Sequence, residues 1–525
     1  MYLTQGLHRG NVCQAFERAV AMYPERVAVA DGERILSYSQ LAAQVHATAR
    51  GLRAAGLGAG DRVALLMPNC LEFLPTLFGL WRAGAAFTQL SPRAGVADFR
   101  YILESVGAKA LIYHERLDQA VAHIRPALPG TRLFIRCGSS PAPADTIALG
   151  KLVAGAAGGE LPPVPGNRQL AMVGVTSGTT GRPKAVLIDH AAWSYYAIQA
   201  GLEIADPKPG EIFLHVAPLT HVTLVFVLPT WLRGGTNVVL DGFTPGAFAD
   251  VVERRGVTAT AAVPTIVYAL LDAPALLKRL GTLSTIVYAG APMSPARLAE
   301  GVARLGRVFV QTYAGTEPGF VSRLGKEEHD PGSEPGRRRL SSAGRPLSFV
   351  AVCVQDEQDR ELPAGAVGEV CVRSPGQMRG YLQSERDPEA LRDGWVHTGD
   401  LGRLDEDGYL YIVDRKKDMI ITGGVNVFPA QVEAILSAHP AVAQCAVIGI
   451  PDDRWGEAVT AVCVPRQGQK PAEHELIELV KANKGGAWAP KHVLFAEQLP
   501  TTATGKVDKK ALRAPYWKGR ERGVN

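Results

Sequence analysis

Short runs of β-branched and other apolar residues alternate with longer helical patterns through the first two thirds of the chain. Arg62–Met67 is followed by the helical pattern Cys70–Arg82, and Ala108–Tyr113 is followed by Leu117–Ala127. Parallel strands need long crossover connections, which are usually helices. The alternation therefore predicts an α/β fold in which helices cover mainly parallel β-sheets.

The chain is too long for a single hydrophobic core. It has 525 residues, whereas one core serves at most about 300. We expect a large N-terminal domain of two helix-covered subdomains and a small β-barrel or antiparallel sheet, then a small α+β C-terminal domain. The expected bounds are 1–414 for the N-terminal domain, with subdomains of about 1–167, 168–343 and 344–414, then 415–418 for the boundary and 419–525 for the C-terminal domain.

Composition excludes several classes of protein. The net charge is only +5, and the densest basic run, Arg337–Arg339, has no interleaved aromatic residues, so no nucleic-acid partner is expected. The seven cysteines never approach CxxC spacing, which fits the reduced cytoplasm rather than a zinc cluster or disulfide framework. Apolar runs such as Val222–Leu232 are shorter than the roughly 18 residues of a membrane span. We expect a cytoplasmic monomer or homodimer without a membrane span.

The strongest local signal is a loop rich in glycine and hydroxyl groups, Thr176–Lys184. Glycine lets the backbone turn tightly and bring N–H groups to phosphate oxygens, while hydroxyls and a lysine add donors and charge. The pattern differs from the P-loop of NTPases, because Lys184 follows Pro183 and precedes Ala185. The predicted phosphate-binding residues are Thr176, Ser177, Gly178, Thr179, Thr180, Gly181 and Lys184.

This loop and several motifs that follow it in order closely resemble the adenylate-forming superfamily. That superfamily includes acyl-CoA synthetases, the adenylation domains of nonribosomal peptide synthetases and beetle luciferases. The resemblance extends over nearly the whole chain and implies that the loop closes over the phosphates of ATP. It also implies that the C-terminal domain is a mobile lid. Ala185 departs from the glycine usual at that position.

Tyr313–Glu317 resembles the family's Tyr-Gly-x-Thr-Glu motif. The resemblance implies that Thr316 meets phosphate, that Tyr313 lies near adenine and that Glu317 binds magnesium. One carboxylate is sufficient there, because Mg²⁺ bound to phosphates takes only one or two. The family's remaining ATP contacts fall on Gly290, Ala291, Pro292 and Gln311.

Two further motifs lie in the β-rich region and at the domain boundary. Trp395–Asp400 matches the family's Thr-Gly-Asp signature, which implies that Asp400 accepts hydrogen bonds from both ribose hydroxyls. Tyr411–Asp418 resembles the junction between the large and small domains. This implies that Arg415 reaches the ribose and that Lys417 is the hinge about which the small domain turns.

The C-terminal domain carries two motifs, one for each step of the family's reaction. Thr422–Pro429 resembles the turn beside the tunnel for the thiol of CoA, where Gly423 and Gly424 leave the path open. Leu499–Lys506 resembles the loop whose lysine is the chief catalytic residue of adenylation. The resemblance therefore implies that the Lys506 ammonium bridges the acyl carboxylate and the α-phosphate.

The acyl pocket is expected to be mostly apolar. His221 matches an aromatic or histidine position in the family that covers the acyl carboxylate and moves during catalysis. The ordinary alternative is a histidine that is simply packed in the core. Ala314 and Gly315 depart from the family's glycine and its larger neighbour, which is expected to reshape the pocket. Small and apolar linings suit a fatty, aryl or alicyclic acid. The expected lining is His221, Val222, Val225, Tyr288, Ala289, Ala314 and Gly315.

The leading hypothesis is an ATP-dependent carboxylic acid:CoA ligase that uses Mg²⁺, with Lys506, Glu317, Thr316 and His221 as catalytic residues. One alternative is an enzyme that loads the acyl group from acyl-AMP onto a separate carrier protein. A luciferase-like oxygenase would keep the same adenylation motifs. A catalytically silent nucleotide-binding sensor is disfavoured, because Lys506 and Glu317 serve turnover rather than recognition alone.

Overall fold

The computed structural model describes residues 11–92, 95–156, 158–176, 184–220, 222–383, 390–466, 468–469, 471–502 and 507–518, with only the backbone of Val222. Four β-sheets organise these residues, and helices cover the two largest sheets. The prediction of an α/β fold with a further β-rich part and a smaller α+β part is therefore confirmed.

The helices are α1 (Val12–Met22), α2 (Tyr38–Ala54), α3 (Phe73–Ala83), α4 (Val96–Val106), α5 (Asp118–Ile124), α6 (Leu149–Ala154), α7 (His190–Gln199), α8 (Val227–Leu232), α9 (Pro245–Arg255), α10 (Pro264–Leu271), α11 (Pro274–Leu277), α12 (Pro295–Leu305), α13 (Glu334–Arg339), α14 (Pro429–Ser437), α15 (Glu473–Lys484) and α16 (Lys509–Arg513).

The larger sheet has nine strands. It consists of β1 (Val27–Asp31), β2 (Arg34–Ser37), β10 (Ile212–His215), β11 (Thr236–Val239), β12 (Ala259–Ala262), β13 (Thr285–Tyr288), β14 (Phe309–Gly315), β15 (Gly319–Leu324) and β16 (Arg345–Pro346). Their spatial order is β16-β15-β14-β13-β12-β10-β11-β1-β2. The central pairs are parallel and the pairs at both edges are antiparallel. The β14–β15 edge carries the Tyr313–Glu317 motif.

The second sheet has seven strands. It consists of β3 (Arg62–Leu66), β4 (Ala86–Gln89), β5 (Ala110–His114), β6 (Leu133–Cys137), β7 (Ile147–Ala148), β8 (Leu170–Thr176) and β9 (Lys184–Asp189), in the order β7-β6-β5-β3-β4-β8-β9. Only the edge pair β8–β9 is antiparallel. The phosphate-loop motif joins β8 to the edge strand β9.

The expected division of the helix-covered part near residue 167 does not follow the sheets. Strands β1 and β2 lie far upstream of that point, yet they belong to the nine-stranded sheet, where β1 pairs with β11 and with β2. Strands β8 and β9 lie downstream, yet they belong to the seven-stranded sheet, where β8 pairs with β4 and with β9. The chain therefore crosses between the two sheets, and a linear division at a Pro/Gly-rich connection is wrong.

One aromatic core holds the two large sheets together. Helices α1, α3 and α8 contribute Phe16, Phe78, Trp81 and Trp231, all at most 2 % exposed. The Phe78 ring lies 4.9 Å from the Trp81 ring and 5.0 Å from the Trp231 ring, both in edge-on contacts. Such contacts stabilise a core beyond the area they bury. The cluster also includes strand residues of both sheets, so it fixes how the sheets face each other.

The two smaller sheets follow in sequence. The third consists of β17 (Ala351–Gln355), β18 (Gly368–Arg373), β19 (Leu391–Arg392), β20 (Trp395–Leu404) and β21 (Leu410–Arg415), all antiparallel, as predicted for this region. The fourth consists of β22 (Ile420–Thr422), β23 (Val425–Val427), β24 (Val442–Asp452), β25 (Gly456–Pro465) and β26 (His492–Phe495). Helices α14 and α15 pack on it around a separate core. Among the residues described, no helix has the length and apolar character needed to span a bilayer.

Three buried histidines predict that the protein is destabilised by mild acid. Burial lowers the pKa of His190, His215 and His329 to about 4 from an ordinary 6.5. The unfolded chain therefore binds more protons than the folded chain below that ordinary value. The contribution of these histidines to the free energy of unfolding should be fully present above pH 6.5. It should fall as the pH drops towards 4, by at most about 3 kcal/mol for each histidine.

The test is the pH dependence of thermal unfolding in a His190→Leu variant, because the His190 ring has no hydrogen-bond partner among the described residues. The variant should lose less melting temperature than the parent between about pH 7 and about pH 5. A His474→Leu variant, at an exposed position of α15, is the control. Parallel curves for parent and His190→Leu would contradict the assignment.

Candidate active site

The phosphate-loop motif spans the ends of two antiparallel strands at an edge of the seven-stranded sheet. Thr176 ends β8 and Lys184 begins β9, and the two residues are paired in register. The intervening 177–183 segment lies outside the described residues. Five predicted phosphate ligands fall there, namely Ser177, Gly178, Thr179, Thr180 and Gly181.

Glu317 lies in the turn between β14 and β15 of the other large sheet, and it meets the end of β8. The Thr176 hydroxyl donates to Glu317 Oε1 at 2.9 Å, and the Tyr381 hydroxyl donates to the same oxygen at 3.3 Å. Close approach depends on Gly174, where a Cβ would lie 2.7 Å from Thr316 Cγ2. The structure therefore brings the predicted phosphate-binding and magnesium-binding motifs together.

Lys184 adds a cation to this meeting point. The side chain is only 6 % exposed. Its Nζ lies 5.0 Å from the centroid of the Tyr381 ring, within the range of a cation–π contact. The same tyrosine donates to Glu317, so a buried ammonium, two hydroxyls and a carboxylate share one corner. Sequence reasoning missed Tyr381, which no motif marks.

The carboxylate of Glu317 fits the magnesium role. Both of its hydrogen bonds from described residues end on Oε1. The second carboxylate oxygen of Glu317, Oε2, accepts no hydrogen bond from the described residues and is therefore available to a metal ion. Within the described ranges, no group of three or more metal-ligating side chains is present. A single carboxylate suits Mg²⁺, which takes most of its ligands from phosphates and water.

The Asp400 carboxylate is held by residues from two other strands. The Tyr313 hydroxyl donates to Asp400 Oδ2 at 2.6 Å, and Arg415 Nε lies 3.4 Å from Oδ1. Burial raises the pKa of Tyr313 well above its ordinary value, and the charge of Asp400 raises it further, so the phenol stays a donor. The resemblance pointed only to adenine for Tyr313 and missed this bond. The structure does bring Asp400, Arg415 and Tyr313 together.

The residues predicted to flank adenine follow β13. Gly290, Ala291 and Pro292 form a partly exposed turn, and Gln311 pairs with Tyr288 across β13 and β14. The hydroxyl of Tyr288 lies 3.0 Å from His329 Nε2 and donates to Gln311 Oε1 at 3.3 Å. The ring packs in a different core cluster from Val225 and Ala314. The structure therefore does not bring the Tyr288 ring to Val225 and Ala314, because the ring belongs to the other cluster and its hydroxyl is bonded to Gln311.

Two of the remaining acyl-pocket candidates, Val225 and Ala314, belong to one apolar cluster. Val225 lies in a 3₁₀ helix, Val222–Phe226, whereas Ala289 is buried after β13 and Gly315 ends β14. His221 and the side chain of Val222 lie outside the described residues. The buried His215 ring uses both nitrogens, because its Nδ1 lies 2.8 Å from Thr223 Oγ1 and its Nε2 lies 2.7 Å from Asn237 Oδ1.

The Gly423–Gly424 turn joins β22 and β23. Both glycines have positive φ, +54° and +77°. A Cβ at Gly423 would lie 2.8 Å from the Trp455 ring, whereas a Cβ at Gly424 would meet no described atom within 4 Å. Gly423 is therefore required by packing, and Gly424 faces open space.

The boundary segment, residues 415–418, takes part in a network of charges. Burial lowers the pKa of Lys417, and the neighbouring Arg415 lowers it further. Arg513 of α16 donates to Asp418 at 2.8 Å, and Lys509 Nζ lies 2.8 Å from Glu433 of α14. From sequence alone, basic residues such as these are expected to be solvated, so the sequence analysis did not predict these ion pairs. Lys506, just before α16, lies outside the described residues.

Comparisons with known proteins agree with this geometry. The family model of AMP-binding enzymes matches residues 16–382, and that of the AMP-binding enzyme C-terminal domain matches residues 431–506. The chain is 37% identical over 516 residues to the medium/long-chain-fatty-acid–CoA ligase FadD8 of Mycobacterium tuberculosis, covering 94% of this chain and 88% of that one. It is 38% identical over 508 residues to a feruloyl-CoA synthase of Amycolatopsis, covering 95% and 98%.

A solved structure shares the fold over nearly its whole length. The amide bond synthetase McbA from Marinactinospora thermotolerans matches with a TM-score of 0.86 at 31% identity, covering 96% of this chain and 100% of that one. The resemblance predicted from the motifs is thereby confirmed. The chain belongs to the AMP-binding enzyme family.

The Asp400 site predicts a change in nucleotide selectivity. Asp400→Ala removes the predicted ribose acceptor and should raise the apparent KM for ATP about tenfold or more, because a hydrogen bond to a charged group is lost. The same variant should discriminate less than the parent against 2′-deoxy-ATP, because the lost acceptor no longer senses the missing hydroxyl. Steady-state pyrophosphate release measures both effects. Asp407→Ala, in the exposed turn between β20 and β21, is the control. Equal discrimination in parent and Asp400→Ala would remove Asp400 from the ribose site.

Proposed function

We propose that this protein is an AMP-forming carboxylic acid:CoA ligase. In the first step a carboxylate oxygen of the acid attacks the α-phosphorus of ATP, the bond to the β-phosphate breaks, and pyrophosphate leaves. In the second step the thiolate of CoA attacks the acyl carbonyl carbon, and AMP leaves with one oxygen of the original carboxylate. The hydrogen bond between Thr176 and Glu317 is the observation that carries the proposal, because it joins the phosphate loop to a metal-binding carboxylate.

In the first step, positive charge and hydrogen-bond donors are needed around the phosphates. We assign the Thr176 hydroxyl and the Lys184 ammonium to the phosphates and the free oxygen of Glu317 to Mg²⁺. The metal would neutralise phosphate charge as pyrophosphate leaves. We assign Asp400 and Arg415 to the ribose, supported by the 3.4 Å ion pair that already aligns them.

The second step requires a different face of the C-terminal domain. We assign Lys506 to the adenylation face, where its ammonium stabilises charge shared by the carboxylate and the α-phosphate. We assign the Gly423–Gly424 turn to the path of the CoA thiol. Turning of residues 419–525 about Lys417, relative to residues 1–414, would exchange the two faces. The open space at Gly424 supports this assignment.

The acid is proposed to be hydrophobic over most of its length. Support comes from the apolar cluster that contains Val225 and Ala314 and from relatives named for fatty and feruloyl acyl groups. A cytoplasmic location is also proposed, because all seven cysteines are free thiols and six of them are buried.

The two-face assignment predicts opposite defects in two variants. Lys506→Ala should lose pyrophosphate release by a factor of about a hundred or more, since it removes a charge that stabilises the first transition state. It should still convert synthetic acyl-AMP and CoA to thioester at nearly the parent rate. Gly424→Leu should release pyrophosphate and accumulate bound acyl-AMP but make little thioester, because its side chain enters the thiol path.

Matched variants separate these effects from general damage. Lys510→Ala removes an exposed lysine of the same tail. Gly408→Leu imposes the same backbone strain, because Gly408 also has a positive φ of +79° and open space around it, in a hairpin of the third sheet. Both controls should keep both half-reactions. Damage to the same half-reaction by Lys506→Ala and Gly424→Leu would contradict the two-face assignment, and AMP formation that does not depend on CoA would contradict the ligase.

A further inference from the structure

The side chain of Gln199 is buried without a hydrogen-bond partner. The residue is 1 % exposed. Among the described residues, neither its Oε1 nor its Nε2 has a partner. Nearly all buried polar groups in proteins are hydrogen-bonded, and leaving one unsatisfied is costly. An amide that lacks partners at both ends therefore indicates a group that is supplied from outside the chain.

The backbone beside Gln199 is also irregular. Gln199 is the last residue of α7, and the chain continues as a π-helical turn, Ala200–Ile204, with a hydrogen bond of 2.9 Å from Ala205 N–H to the carbonyl of Ala200. Single π-helical turns are rare, and many of those that occur lie at functional sites. Two independent features, one of a side chain and one of the backbone, thus mark the same position.

The elements that carry Gln199 pack against elements of the proposed acyl pocket. Helix α7 packs against β15 and the Val222–Phe226 helix, and the π-helical turn packs against that helix and β14. One turn before Gln199, the Tyr196 ring lies 6.0 Å from Phe320 of β15. Burial raises the pKa of Tyr196, and the charges of Asp189 and Glu317 raise it further. Tyr196 is therefore within electrostatic range of the catalytic carboxylate, and Gln199 lies about 4.5 Å further along the helix axis.

The chemistry of the missing partner follows from the amide. A carboxamide offers both donor hydrogens and an acceptor oxygen but no charge. A hydroxyl group satisfies both ends because it donates and accepts. An ionised substituent would be buried without a counter-charge. The free-energy cost of burying that charge far exceeds the stabilisation that hydrogen bonds to an amide provide.

We propose that Gln199 is a specificity-determining residue whose amide hydrogen-bonds a hydroxyl group of the acyl substrate, at the end remote from the activated carboxylate. This inference rests on the proposed ligase function. It narrows the substrate to a mainly apolar acid, aryl or aliphatic, that carries a neutral hydroxyl.

The test compares matched acids in the unmodified enzyme. Pairs differ only in one hydroxyl, for example para-hydroxycinnamic against cinnamic acid and omega-hydroxydecanoic against decanoic acid, and CoA-dependent AMP formation gives kcat/KM. At least one pair should favour the hydroxylated acid by about tenfold or more, since a site built to bind a hydroxyl rejects the analogue without it. The methyl ether of the favoured acid should be poorer, because it cannot donate.

Variants locate the preference. Gln199→Met keeps the length of the side chain and should lower kcat/KM for the hydroxylated acid while raising it for the unsubstituted acid. Gln355→Met is the control, because Gln355 is another buried glutamine with an unpartnered oxygen, in β17 of the third sheet. It should leave the preference unchanged.

The outcomes are distinguishable. CoA-dependent AMP formation without a hydroxyl preference in any pair overturns the Gln199 assignment and leaves the ligase proposal standing. Equal loss for both members of a pair in Gln199→Met also overturns it, since that result means a structural role, such as binding an internal water. No AMP formation with any acid overturns both proposals.

Discussion

The active site depends on one contact between two sheets that come from interleaved parts of the chain. The Thr176 hydroxyl at the end of β8 donates to Glu317 in the turn after β14. The strands can approach this closely because Gly174 has no Cβ to meet Thr316. The aromatic core of helices α1, α3 and α8 holds the sheets in this relation. A rigid corner of this kind places hydroxyls, a cation and a carboxylate before any nucleotide arrives, which is how enzymes stabilise developing charge at least cost.

Charged and hydrogen-bonded contacts join the C-terminal residues to one another around the boundary segment. Asp414 Oδ2 accepts a hydrogen bond of 2.9 Å from Ala430 N–H at the start of α14, and burial raises the pKa of Asp414 to about 6. The Arg513 guanidinium pairs with Asp418, and the Lys509 ammonium pairs with Glu433. Removing one partner of a buried ion pair destabilises a protein by more than the intact pair stabilises it, because the other charge is left buried and unpaired. These contacts therefore tie α16 to the boundary segment and to α14.

Local motifs could be predicted from sequence, because each combines glycine, hydroxyl and charged residues at fixed spacing. The structure brings Thr176, Lys184 and Glu317 together around Tyr381, and it brings Asp400 and Arg415 together. Contacts that join distant segments could not be predicted. The Tyr381 hydroxyl, the Asn237 partner of His215 and the placement of Tyr288 depend on how strands are ordered in the sheets, and that order leaves no local trace. The division at residue 167 failed for the same reason, since β1 and β8 each cross to the other sheet. Lys509 and Arg513 resemble a solvated tail unless the position of Asp418 and Glu433 is known.

The central claim is that the acid is activated by direct attack of its carboxylate on the α-phosphorus of ATP. The most direct measurement uses an acid whose two carboxylate oxygens are replaced by the heavy isotope. After a CoA-dependent turnover, AMP is analysed by mass spectrometry. The account predicts one heavy oxygen in each AMP, because the bond from carboxylate oxygen to phosphorus survives when the thiol displaces AMP from the carbonyl carbon. Unlabelled AMP would contradict the acyl-adenylate route and the roles derived from it.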